Sequence, residues 1–84
     1  MTREDAIERL RWFLCHKVLK EPTLSLRDDE PIITGGLMDS LALAYVAVFI
    51  EKEFGVVIPN NELTTEAMDT LRQMADRVLL GARR

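Results

Sequence analysis

From Ser40 to Phe54 the chain runs without a proline or a glycine, and Gly55 then stands where a helix takes a left-handed cap. This pattern predicts one long central helix. It also limits the rest of the chain, because a helix can bury its apolar stripe only against other elements. The one run that could form a strand is Val56-Val57-Ile58-Pro59. A single short strand with no partner makes no sheet, so the run reads as a buried connection. The expected class is all-α.

The flanking segments supply the partners. Thr2 followed by Asp5 resembles a capping box, and Ile7, Leu10, Leu14 and Val18 then form one helical stripe, so a first helix is expected from about Arg3 to Leu19. Glu21-Pro22 ends it, since the residue before a proline avoids the helical region and proline has no N–H to donate. Near the other end, Asp69 or Thr70 can cap a last helix. Its apolar set, Leu71, Met74, Ala75, Val78 and Leu79, is spaced i, i+3, i+4, i+7, i+8, and it should end near Gly81. A brief helix is expected after Asn60 or Asn61. The segment Glu21 to Asp39 holds two prolines, the Asp28-Asp29-Glu30 run and the Gly35-Gly36 pair, and shows no sustained period. It reads as a long loop, ordered because Leu24, Leu26, Ile32 and Ile33 give it side chains to pack. The expectation is a small four-helix bundle of three main helices and a short third, as a single domain over residues 1–84.

With 48% apolar and 30% charged residues the chain is globular in composition. One cysteine, Cys15, forms no internal disulfide. Cys15 and the lone histidine, His16, supply too few ligands for a Cys/His zinc site, and as helical neighbours they diverge by about 100° and cannot pair as nucleophile and base. The Asp28-Asp29-Glu30 run lacks the alternating acids and central glycine of a calcium loop and reads as a solvated turn. A net charge of −3 argues against nucleic acid, and Arg83-Arg84 reads as a solvated tail. No run approaches the roughly 20 apolar residues of a membrane span, and no leader is visible, so a cytoplasmic monomer is expected. Of Trp12 and Phe13, at least one should complete the core.

The chemistry concentrates at Gly35-Gly36-Leu37-Met38-Asp39-Ser40-Leu41, where a serine meets the start of the central helix. The first amides of a helix lack internal partners and its N-terminus carries partial positive charge, so a phosphate ester on Ser40 would lie in a favourable field. A plainer role is open to both Ser40 and Asp39, since either residue type serves as an N-cap.

The segment Asp39-Ser40-Leu41, preceded by a glycine and an apolar pair and followed by an unbroken helix, leads on to Glu51-Lys52-Glu53-Phe54-Gly55-Val56-Val57-Ile58-Pro59. Together these resemble the acyl carrier protein family, over roughly Pro31 to Leu79. The fixed distance from Ser40 to Phe54-Gly55 and Ile58-Pro59 makes the likeness specific. The resemblance implies that Ser40 takes 4'-phosphopantetheine from coenzyme A by the action of a magnesium-dependent phosphopantetheinyl transferase. It implies that Asp39 is the recognition or capping acid beside it. It also implies a non-catalytic carrier, loaded by an acyl or aminoacyl ligase and unloaded by downstream transferases or synthases. Two departures point away from the fatty-acid type. Gly36 stands four residues before Ser40 in place of three, which looks more like D-alanyl and other specialised carriers. Ala42, Leu43, Ala44 and Tyr45 also stand where fatty-acid carriers tend to place acids.

The central helix carries two apolar stripes. Leu43, Val46, Ala47, Ile50 and Phe54 should face the core. Leu41, Tyr45 and Val48, flanked by Phe49 and continued by Lys52, should face water, because unpaired lysine is rarely buried. That strip starts beside the serine and is the expected docking face for partner enzymes. The rival reading is an unmodified helical interaction module in which Ser40 has no chemical task.

Overall fold

A computed structural model describes residues 1–82, so the expectation for Arg83-Arg84 lies outside the described residues. The first helix, α1 (Arg3–Phe13), starts in the expected capping box. Thr2 accepts from the Asp5 amide at 3.1 Å, and the Asp5 side chain accepts from the Thr2 amide. Those hydrogen bonds from Thr2 hold the Asp5 carboxyl below its ordinary range.

The same rod does not stay α-helical to Leu19. After Phe13 it widens into a π turn over Leu14–Val18, in which the Leu19 amide donates to the Leu14 carbonyl at 2.7 Å. The wider turn brings Lys17 round over Trp12, five residues earlier, with its ammonium 5.6 Å from the ring centroid. Lys20 then takes a left-handed φ of 55°, and the chain turns off before Pro22.

A 3₁₀ turn (Ser40–Ala42) opens the central rod and α2 (Leu43–Phe54) continues it to Gly55, whose φ of 70° is the expected left-handed cap. Val56 and Ile58 are buried and Val57 is exposed, as a connection packed on one side should be. A 3₁₀ turn (Asn60–Glu62) and the short α3 (Thr65–Met68) follow. The last helix is α4 (Leu71–Ala82). Thr70 caps it in a reciprocal box, accepting from the Gln73 amide at 3.1 Å while the Gln73 side chain accepts from the Thr70 amide. No strand occurs among the described residues, and the architecture is the small helical bundle expected.

The core sits where the stripes predict. Ile7, Leu10 and Leu14 of the first rod meet Leu43, Val46 and Ile50 of α2 and Leu71, Met74, Ala75 and Val78 of α4, all buried. Val18, Phe54 and Leu79 are only half-buried. The interior carries no buried polar side chain without a partner among the described residues.

The long loop is ordered, and its fastening is specific. Leu26 and Ile32 are buried in the core. Arg11 of α1 donates to the Leu26 carbonyl at 2.8 Å and pairs with Asp28. The Arg72 amide donates to the Asp28 carbonyl at 3.0 Å, and the Ile32 amide donates to the Asp69 carbonyl at 2.7 Å. Asp69 does not cap α4. Its carboxylate accepts from the amides of Ile33 and Thr34 at 2.7 and 3.0 Å and from the Thr34 hydroxyl at 2.6 Å. Burial works against the charged form, yet these donors outweigh it and hold the Asp69 carboxyl below its ordinary range.

Candidate functional site

The loop delivers the chain to the serine through a tight turn. Leu37 and Met38 both donate to the Ile32 carbonyl, at 2.9 and 3.2 Å, and Gly36 supplies the positive φ of 84° that folds the segment back. Asp39 follows in an extended conformation, and its carboxylate accepts from the Ala42 amide at 3.2 Å. Asp39 is therefore the N-cap. Ser40 is the first helical residue, exposed, with its hydroxyl not spent on capping. The one plain role open to both residues at this junction, the N-cap, is filled by the aspartate.

The position fits a phosphodiester on three counts. The hydroxyl is reachable from solvent, the helix start carries partial positive charge even with its Ala42 amide taken by Asp39, and no acid follows on the helix until Glu51. The acid that precedes it, Asp39, has one oxygen committed to the Ala42 amide.

Below and beside the serine the surface is apolar. Leu41, Tyr45 and Val48 are 79%, 69% and 50% exposed, so the long loop does not cover them. Phe49 behaves differently from its expected neighbours on that strip. It is half-buried, stacked on Phe13 with ring centroids 4.2 Å apart and edge-on to Phe54 at 6.0 Å. Its aromatic face meets α1, and what remains open of it lines a cleft with Arg9, Trp12 and Glu53 on the flank of the strip. Trp12, in contrast to Phe13, is 51% exposed and stacks on His16 at 4.7 Å. Phe13 alone of the pair completes the core.

Two clefts adjoin the start of the central helix. The larger, about 510 Å³, runs between the end of the first rod and the loop, past Glu21, Leu24, Leu37 and Asp39. The smaller, about 350 Å³, is lined by Phe13, Lys17, Val18, Ala42 and Tyr45. Val18 and Ala42 belong to both. Neither cleft is visible in the sequence, because each is walled by residues of both rods.

Residues 14–78 match the family model described as a phosphopantetheine attachment site. The chain belongs to this family. Among curated proteins none matches it. Membership makes the chain a carrier that bears covalently attached 4'-phosphopantetheine, not a catalyst, and a partner of a phosphopantetheinyl transferase and of the enzymes that use the arm. The unmodified interaction module is thereby set aside. When attached, the arm supplies a terminal thiol on a flexible tether. Among the described residues no helix is long and apolar enough to cross a membrane, and no cluster of side chains could hold a metal ion.

Proposed function

We propose that Ser40 is the residue that takes the arm, and that the arm's thiol carries an acyl or aminoacyl group as a thioester from a loading ligase to downstream transferases or synthases. The observation that carries this reading is the division of labour at the helix start, where Asp39 caps and the exposed Ser40 hydroxyl is left free. The chain's own contribution is a nucleophilic oxygen held at a helix N-terminus, together with a compact body that keeps a tethered cargo at high local concentration near a docked enzyme. Asp39 holds the helix start in register and presents its second oxygen beside the serine. Partners approach over Leu41, Tyr45 and Val48, an apolar strip that begins one residue from the attachment point. The spacing of Gly36 and the acid-free first turns of the helix favour an amino acid or specialised acyl cargo over a growing fatty chain. A thiol-bearing arm suits the reducing cytoplasm, and a monomer leaves the Ser40 face open.

The test is incubation with coenzyme A and a promiscuous phosphopantetheinyl transferase, followed by intact mass measurement. The protein should gain one phosphopantetheine. Ser40→Ala should gain none while its stability changes by no more than about 0.5 kcal/mol, because the cap is elsewhere. An alanine variant that still gains the arm moves the site away from Ser40.

A further inference from the structure

The turn that leads to Ser40 is fastened at one residue of another helix start. The Asp69 carbonyl accepts from the Ile32 amide at 2.7 Å, and the Asp69 carboxylate accepts from the Ile33 and Thr34 amides and the Thr34 hydroxyl. These donors keep the carboxyl below its ordinary range, so it is ionised, and its bonds are charge-assisted, at neutral pH. The same Ile32 gives its carbonyl to Leu37 and Met38, while the Ile33 carbonyl accepts from the Gly36 amide at 3.1 Å. Between these two sets of bonds there is no slack: a Cβ on Gly35 would stand 2.2 Å from the Pro31 carbonyl oxygen. Met38 is buried, and Asp39 and Ser40 follow it directly. Asp69 is itself held from behind. The Gln73 side chain accepts from the amides of Asp69 and Thr70 at 3.0 and 3.1 Å and donates to the Glu66 carbonyl at 2.9 Å.

We propose that Asp69, acting through Thr34, is a positioning residue for the modification of Ser40: it fixes the turn so that the serine hydroxyl meets the transferase in a set orientation. The inference rests on the reading of Ser40 as the attachment residue. It adds a residue whose side-chain bonds go to the turn and not to the serine. In the transfer the Ser40 oxygen bonds to the phosphorus of coenzyme A that bears pantetheine, and the pyrophosphate P–O bond breaks. Adenosine 3',5'-bisphosphate leaves, and the serine proton passes to a base on the transferase. One oxygen must line up with one P–O bond, so a small displacement of the nucleophile slows the step even when the body is docked correctly. The clasp acts on that alignment, because the segment it holds runs through Leu37 and Met38 straight into the helix start.

The experiment measures kcat and KM for the carrier as substrate of a promiscuous transferase at saturating coenzyme A, with each variant's fold checked by circular dichroism. Asp69→Ala should lower kcat several-fold with little change in KM, since the body still docks while its nucleophile is no longer held. Thr34→Val, a change of equal shape at an exposed side chain, removes only the hydroxyl donor and should lower kcat by less. Thr34→Ser keeps the hydroxyl and should restore the rate. Thr2→Ala, which removes the cap of α1, is the control for lost stability: unfolded molecules only dilute the substrate, which raises KM and leaves kcat alone. A wild-type kcat in Asp69→Ala overturns the positioning role, and so does a fall in kcat that Thr2→Ala shares. Either result, with the arm still found on Ser40 by mass, leaves the attachment reading standing. If Asp69→Ala does not fold, the Thr34 pair decides, and equal kcat in Thr34→Val and Thr34→Ser overturns the proposal. A wild-type chain that gains no arm at Ser40 overturns both the positioning role and the attachment site.

Discussion

The long loop and the outer face of α2 lie on either side of Ser40 and are built in opposite ways. In the loop three apolar residues, Leu26, Ile32 and Met38, are buried, and the polar stretches are tied to the helical frame by Arg11, Asp69 and the Arg72 amide. On the outer face of α2, Leu41, Tyr45 and Val48 are large and apolar, yet they stand in water. An irregular segment is thus rigid and a regular one is left unsatisfied. Order at a site follows from where backbone donors and apolar side chains find partners, not from secondary structure. The arrangement supports the proposed carrier role, in which the loop fixes Ser40 while the helix face stays available.

The largest effect that tests the comparison is Ile32→Ala. If the loop is truly part of the core, removing this fully buried side chain should cost about 2–5 kcal/mol in chemical unfolding, as for a helix core residue. A cost typical of a surface loop would break the comparison. Next comes Asp69→Asn, which weakens three hydrogen bonds into the loop and should cost about 1–3 kcal/mol. The pH dependence has a definite sign. The folded carboxyl titrates below its ordinary value of 3.8, so its stabilisation is complete above that value and is lost as the pH falls through the folded one. The gap between wild type and Asp69→Asn, measured by urea unfolding, should therefore stay constant through neutral pH and close only in strong acid.

Asp39→Ala removes the cap and should cost about 1 kcal/mol in thermal unfolding. The smallest change in stability belongs to Tyr45→Glu and Val48→Glu, within about 0.5 kcal/mol, because both side chains are already in solvent. These same variants should slow loading by the cognate ligase. That interaction should respond weakly to salt, since the strip is apolar for most of its length. Unfolding of either variant would mean that the outer face is core after all.

Much of this was legible in the sequence because it is local. The capping box of Thr2 and Asp5, the stop at Gly55 and the stripe Leu43, Val46, Ile50 each depend on residues within a turn or two, and each stands as read. The π turn was not legible, since bonding from Leu19 back to Leu14 leaves no mark in a 3.6-residue period. The role of Asp69 was hidden for a different reason: a cap partner lies three residues away, whereas its actual partners, Ile33 and Thr34, are 36 and 35 residues away. Phe49 misled for the same reason. Its place beside Tyr45 and Val48 is plain from periodicity, but the Phe13 ring that covers it comes from another helix. At the site, the serine and its helix could be read directly. Which of two adjacent residues caps the helix could not, because Asp and Ser are both good caps and only the hydrogen bond to Ala42 separates them.

The clasp between Thr34 and Asp69 also sets a timetable. The chain emerges from its N-terminus, and contacts between distant residues must wait for the later partner to be made. Ser40 is thus synthesised well before the carboxylate that fastens the loop in front of it. A nascent chain halted short of Asp69 lacks the carboxylate that holds Thr34, so the segment leading to Ser40 is without one of the fastenings it has in the finished fold.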